Sequence, residues 1–412
     1  MECEGYALYQ HKEPKTDSPL LIFSLSLRTE FSQFLIRKNN RYNGVIMFEL
    51  TNTNSDMLSF FVSLGAKTEL INEVTHIKSY VSLDEEVYSL NNGVALKYMN
   101  TSSIIELKGT DSLDFLHRIS TNSMKNLNKE EVKKTIFTSE KGRIIGVSTV
   151  MNFESYILLI TGIHSKQKTM SWINKYIIGD DVKLSEASHR FNLFEIVGPQ
   201  SESFLSLFVG DALNAIPANS FKVVSADGVL FFLVRLIDEK GLQKFWILAE
   251  QENGKKLVST MIENKGPFDF NLVGEDAYSV YKIENGIPSD PNELNDLYNP
   301  HEAKIINLVD FKKGCYIGQE VIARLDTYDK VQKQLVGVCF PESIETNEKF
   351  TLLDEETNEV GAVTSIAYSP IRKKNIALGY LKKSLALQGN KVTAKNETKS
   401  MEVIIHELPF KK

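Results

Sequence analysis

The chain has 412 residues, 42% of them apolar and 24% charged, the composition of an ordinary globular protein long enough for about two to four domains. Its 47 Lys and Arg against 53 Asp and Glu leave a net charge of −6, which argues against a broad basic face for duplex nucleic acid. Three cysteines, Cys3, Cys315 and Cys339, make no disulfide framework and fit a reducing compartment.

In chain order, residues 20–27 (LLIFSLSL) and 45–51 (VIMFELT) are apolar and β-prone. The first run is broken by serines and too short to span a bilayer. Glu2, Glu4 and Glu13 ahead of it are the wrong flank for a secretory or transit signal. A cytoplasmic protein is expected, with an organelle of a eukaryotic cell left open. Residues 55–64 predict a helix that stops at Gly65. The phrase NTNSDMLSFFVSLGAK (52–67) resembles the last helix of an N-acetyltransferase. No glycine-rich pyrophosphate loop precedes it, so residues 1–80 are expected to be a small α+β extension without chemistry.

From residue 81 the pattern changes. Strands are predicted at 102–109, 133–139, 143–151 and 156–162, with a helix at 111–120 capped by Asp111. Short strands alternating with helices across tight turns indicate α+β layers. A first lobe over 81–190 and a second over 191–330 are expected, the latter with strands at 194–198 and 229–236. Residues 331–412 read as short strands separated by turns at Pro341, Asn358 and Gly389–Asn390, a small antiparallel barrel or sandwich.

The common catalytic templates are missing. The seven histidines never fall at H-x-x-x-H spacing, and the cysteines form no C-x-x-C pair, so no metal site is expected. No P-loop, dinucleotide fingerprint or nucleophile elbow is present either. Residues 311–324, FKKGCYIGQEVIAR, stand out instead. Glycines on both sides of Cys315–Tyr316 suggest backbone held close to something. Lys312, Lys313 and the helix start at Gln319–Glu320 would favour a Cys315 thiolate; a small buried thiol is the alternative.

K-G-C-Y-I-G-Q-E (313–320) resembles the signature of the YgfZ-type folate-binding proteins, relatives of the aminomethyltransferase (T protein) of the glycine cleavage system. The resemblance extends over residues 81–412. IENGIPSDPNELNDLYNPHEA (283–303) is similar to the family's R-x-E-x-G-x-P and P-x-E-A phrases, with Lys282 where the family usually has Arg. GAVTSIAYSPIRKKNIALGYL (361–381) and VIIHELPFKK (403–412) are similar to the T protein's barrel. The resemblance implies a three-lobed cloverleaf, two α+β lobes and a C-terminal antiparallel β-barrel, around a channel for tetrahydrofolate.

It also implies roles. Glu284 takes the place of the pterin-binding Glu, whose carboxylate would accept a ring N–H and an amine in a fork; an exposed helix Glu is the alternative. Tyr316 would stack on the ligand or sit in the core. Lys313 and Arg324 would meet glutamyl carboxylates or stay solvated. Thr121 and Asn122 match a phrase near the channel, or cap a turn. In FTSEKGRIIGVSTV (137–150), Gly146–Val147 occupy the place of the T protein's paired aspartates, one of which its reaction needs. The resemblance therefore implies a tetrahydrofolate-binding factor, with Cys315 as its functional thiol. Such a factor would assist iron–sulfur or radical-SAM client proteins, including tRNA-modifying enzymes. The alternative is an aminomethyltransferase or another folate-dependent one-carbon transferase. No membrane partner is expected.

Overall fold

The computed structural model describes residues 52–238 and 241–410; the strands expected at 20–27 and 45–51 lie outside them. Helix α1 (Asn52–Ser63) leads into the hairpin β1 (Lys67–Ile71) and β2 (Val74–Ser79). Then come α2 (Leu83–Asn92), β3 (Val94–Tyr98), β4 (Ser102–Lys108) and α3 (Ser112–Ile119). β5 (Val132–Thr138), β6 (Ile144–Asn152), β7 (Ile157–Gly162), α4 (Lys166–Lys175) and β8 (Lys183–Glu186) follow. The next stretch holds β9 (Phe191–Val197), α5 (Ser201–Val209), β10 (Ser220–Ala226), β11 (Val229–Ile237) and β12 (Gln243–Glu250). After α6 (Gly254–Glu263), β13 (Phe270–Leu272), α7 (Glu275–Asn285) and α8 (Gln319–Thr327), the chain is almost all strand. These strands are β14 (Lys333–Cys339), β15 (Thr351–Leu353), β16 (Glu359–Ser369), β17 (Lys374–Lys382), β18 (Lys391–Lys395) and β19 (Ser400–His406).

Period-two alternation explains the layers. On β9 and β12, Phe194, Ile196, Phe245 and Ile247 point to one face, where Met57 and Phe61 of α1, Phe204 of α5 and Leu257 of α6 cover them. Leu193, Trp246 and Leu248 point to the other face and meet Val132, Met151 and Ile160 of β5, β6 and β7. The remaining face of that second sheet is covered by α3 and α4 through Phe115, Leu116, Trp172 and Ile173. Two sheets thus lie face to face between helices, in the orders β10-β11-β12-β9-β3-β13 and β5-β6-β7-β4-β8. β14 to β19 close a six-stranded antiparallel barrel, the C-terminal architecture expected from the sequence.

The lobe boundaries differ from those expected. β3 belongs by sequence to the first lobe but pairs with β9 of the second. α1, assigned to the extension, fills the core of that same sheet. Both follow from burial: α1 and β3 place apolar residues (Met57, Phe61, Val94, Leu96) in the core of that sheet.

Candidate functional site

The FKKGCYIGQEVIAR segment is locked onto the K-G-R turn (141–143). Gly318 has φ +83, and a Cβ there would come within 2.4 Å of the Ser139 carbonyl, so glycine is what lets the two turns touch. Thr138 Oγ1 donates to the Ile317 carbonyl at 2.6 Å. Arg143 Nη1 reaches Glu302 of the P-x-E-A phrase at 3.0 Å and the Leu297 carbonyl at 2.8 Å. The K-G-R turn is thus knotted to two phrases that lie far from it in sequence. Cys315 is exposed on it, beside Gly314, around which space is open.

The residues expected around the ligand have other occupations. Lys313 is buried, and its Nζ donates to the carbonyls of His117, Ser120 and Asn122 at the end of α3. It is neither solvated nor aimed at a ligand carboxylate. Burial lowers its ammonium to about 8, against the opposing charge of Asp310. Tyr316 is in the core, its ring 5.2 Å from that ammonium. Burial pushes its phenol up to about 12, and its hydroxyl has no partner among the described residues. Thr121 brackets the turn: its Oγ1 donates to Leu308 O at 2.9 Å and accepts from Ile136 N at 3.1 Å. Asn122 Nδ2 donates to Lys134 O at 2.9 Å. Arg324 is exposed on α8 and forms no ion pair among the described residues. Glu284 is half-buried on α7, where its Oε1 accepts from Ser369 Oγ of β16 at 2.6 Å.

A second set of residues gathers where the apolar layer between the two sheets ends. Lys134 and Thr149 are paired neighbours on β5 and β6. Each shares a face with residues of the inter-sheet core, Val132 and Met151. Opposite them, Glu195 of β9, Lys244 of β12 and Asp238 just after β11 continue the inward faces of Leu193, Trp246 and Leu236. Glu195 is fully buried. It accepts from Lys244 Nζ at 2.5 Å, from Trp246 Nε1 at 2.7 Å and from the Tyr278 hydroxyl of α7. Burial opposes the anion, but Lys244 and these hydrogen bonds prevail and hold the carboxyl below the usual range. Lys97, cross-strand from Glu195, and Lys282 both hold Glu275, at 2.7 and 3.0 Å. Burial opposes that carboxylate too, and the two cations depress it.

Lys134 differs from these paired cations. Its side chain is exposed and makes no ion pair among the described residues. Desolvation by the surrounding protein lowers its ammonium to about 8, Lys244 adding repulsion and Glu195 and Asp238 opposing. Tyr281, one turn before Glu284 on α7, has a buried hydroxyl with no partner among the described residues, and burial with the charges of Glu195 and Asp238 raises its phenol above the ordinary value. Ile136, Val147 and Leu242 supply apolar wall. Gly146, by contrast, faces α4: a Cβ there would come 2.3 Å from Thr169 Oγ1. Sequence reading missed this girdle. Its signal was a charged residue at an inward position of an apolar strand, in KKTIFT, FEIV and QKFWIL.

Residues 57–313 match the model of the GCVT N-terminal domain, and residues 333–412 that of the glycine cleavage T-protein C-terminal barrel domain. The chain belongs to the glycine cleavage T-protein family. The match begins inside α1, so the helix likened to an acetyltransferase falls within the T-protein domain. Over 356 residues it is 28% identical to a chloroplastic protein of Arabidopsis thaliana whose transferase name specifies no reaction, covering 85% of this chain and 79% of that one. It is 26% identical over 303 residues to an aminomethyltransferase of Desulfitobacterium hafniense, covering 73% and 82%. The solved aminomethyltransferase T of Bartonella henselae shares the fold, with a TM-score of 0.75 at 18% identity over 86% and 97% of the two chains. This gives the T-protein family fold, with its α+β part and closed barrel. Among the described residues, no group of three or more His, Cys, Asp or Glu could hold a metal ion, and no helix is long and apolar enough to cross a membrane.

Proposed function

We propose that this T-protein family member binds a reduced folate beside Glu284 and Tyr281 of α7 and the apolar wall of Ile136, Val147 and Leu242, and transfers a one-carbon unit carried on it. The observation that carries the reading is the buried Tyr281 hydroxyl, which has no partner among the described residues and stands one turn before Glu284 beside that wall. A buried polar group is normally satisfied, and a ligand held there is the economical reason for leaving this one open. When bound, a reduced folate would supply the nitrogens, N5 of the pterin and N10 of the bridge, that carry the one-carbon unit. Relatives named aminomethyltransferase support a transfer reaction. Val147 puts an alkyl group where the T protein has a carboxylate, so the transfer proposed here does not activate an amine through residues 146–147.

Glu284 is assigned to the pterin: Ser369 orients one of its oxygens, and its other oxygen makes no hydrogen bond among the described residues. Calorimetry with tetrahydrofolate tests this. Glu284→Gln turns an acceptor into a donor facing a donor and should weaken binding roughly tenfold or more. Equal affinity removes Glu284 from the site; no binding to the unaltered protein removes the folate reading. A glycine-cleavage assay with lipoylated carrier protein then identifies or excludes aminomethyl transfer.

The exposure of Cys315 favours a second reading, the YgfZ-type role of a folate-binding factor for iron–sulfur or radical-SAM enzymes. The thiol is presented on a knot of three phrases, whereas Cys339 is half-buried and burial raises its thiol above the ordinary value. Alkylation at neutral pH should label Cys315 first. Full support of cluster enzymes by Cys315→Ser in cells would end this reading.

A further inference from the structure

We infer that Asp290 is a positioning residue for Glu284, because it makes the segment 286–293 a strap that ties helix α4 to the barrel across the end of α7. The effect on a ligand rests on the folate reading; the strap itself does not.

The strap begins two residues after Glu284. Gly286 ends α7 in the left-handed region, φ +64, and a Cβ there would come 2.7 Å from Leu408 Cβ, so glycine seats this turn on the segment that follows β19. The Gly286 and Ile287 amides close the turn, donating to Ile283 O at 3.1 Å and Lys282 O at 2.8 Å. Asp290 then reaches the connection between β7 and α4. Its carboxylate accepts from the Ser165 N–H at 3.2 Å and from the Ser165 hydroxyl. It lies over Gly162, where any Cβ would run into Asp290 Oδ2. Glu293, at the far end, is fully buried. Its Oε1 accepts from Ser365 Oγ of β16 at 2.6 Å, its Oε2 from Ser289 N at 2.9 Å, and its carbonyl from the Tyr380 hydroxyl of β17 at 2.9 Å.

The way α4 begins sets this apart from ordinary packing. Ser165 stands at its N-cap, where a serine hydroxyl commonly accepts from the first turn. Here it makes no such bond and donates to Asp290 instead. The amide end of α4 is thus held by a carboxylate from a distant segment, the sign its dipole favours. Neither Asp290 nor Glu293 forms an ion pair among the described residues; neutral donors hold both. Such bonds are directional, so they fix the strap where a surface ion pair would let it slide. With Gly286 seated on Leu408 and Asp290 on Gly162, only Ile287, Pro288 and Ser289 join the two fixed points. A shift of α4 against the barrel is therefore passed to the end of α7, and Glu284 moves with it.

Hydrogen exchange and tetrahydrofolate calorimetry on the full chain test this. Asp290→Ala removes the contact from one side, and Ser165→Ala removes its hydroxyl half from the other. Asp290→Ala should speed exchange of the Gly286 and Ile287 amides about tenfold and weaken tetrahydrofolate binding about threefold to tenfold, with smaller changes of the same kind in Ser165→Ala. Asp290→Asn keeps an acceptor oxygen and should restore most of both. The double variant should be no worse than Asp290→Ala, since both changes act through one contact. A contact that merely caps α4 would speed exchange at residues 165–169 and leave Gly286, Ile287 and the affinity unmoved; that result overturns the proposal, and so does additivity in the double variant. If Asp290→Ala does not fold, Ser165→Ala carries the test by the same readouts. If the unaltered protein does not bind tetrahydrofolate, the folate reading alone fails, and exchange at Gly286 and Ile287 still judges the strap.

Discussion

Lys313 shows how a residue that pattern logic sends to a ligand can be used up by the fold. The last carbonyls of a helix have no partner within it and sit at the negative end of its dipole. After α3 those carbonyls are met by the Lys313 ammonium, which donates to Ser120 O at 2.5 Å and Asn122 O at 3.1 Å as well as to His117 O. Lys313→Met keeps the alkyl stem and removes all three donors. A loss of about 2–4 kcal/mol is expected from the carbonyls left bare, read as a lower urea midpoint at unchanged slope. Folate affinity of the folded fraction should stay within about twofold if no ligand contact is lost. The pH dependence has a definite sign. The folded ammonium titrates near 8 and the unfolded one near 10.5, so between those values the unfolded chain binds the extra proton and stability rises with pH. Lys313→Met should reduce that rise. A large loss of affinity with intact stability would return Lys313 to the ligand.

At the scale of one strand, β6 fixes which way Gly146 and Val147 face. Gly146 pairs with Phe137 and Val147 with Ile136, but Thr138 pairs with Ile144, so Ile145 is an extra residue in the ladder. A bulge of this kind resets which side chains face inward. Here it turns position 146 toward Thr169 of α4 and position 147 toward the girdle. Gly146→Asp should therefore melt well below Val147→Asp, because its Cβ starts 2.3 Å from Thr169 Oγ1, and it should release no methylene-tetrahydrofolate. Turnover in Gly146→Asp would mean that this face reaches the reacting centre after all. The strand itself was legible in the sequence, as were Gly318 at the start of α8 and the Gly65 stop after α1. Facing was not legible, because one inserted residue reverses it without changing the apolar pattern. Nor was the girdle, since Lys134, Glu195, Lys244 and Tyr281 come from strands and a helix that meet only after the sheets have stacked.

For the molecule as a whole, one core joins the part matched to the GCVT N-terminal domain with the barrel. Val87 and Leu90 of α2, Ile136 of β5, Tyr281 and Ile283 of α7, Leu378 and Tyr380 of β17 and Phe410 belong to a single buried cluster. Phe410 ties it from the barrel side. Its backbone N–H donates to Glu284 O at 2.9 Å, and its ring lies 5.3 Å from those of His406 and the Arg372 guanidinium. The ring also covers Gly337, where a Cβ would come within 2.6 Å of Cζ. A shared core should make the two parts melt together. Phe410→Ala opens a cavity in it and should cost about 3–5 kcal/mol, seen by calorimetry as one transition at lower temperature. Tetrahydrofolate affinity should fall as well, because Phe410 anchors the same turn of α7 that carries Glu284. A variant that melts in two steps would mean that barrel and α+β part are held together by Phe410 alone. An unchanged affinity would mean that the turn carrying Glu284 keeps its place without that anchor.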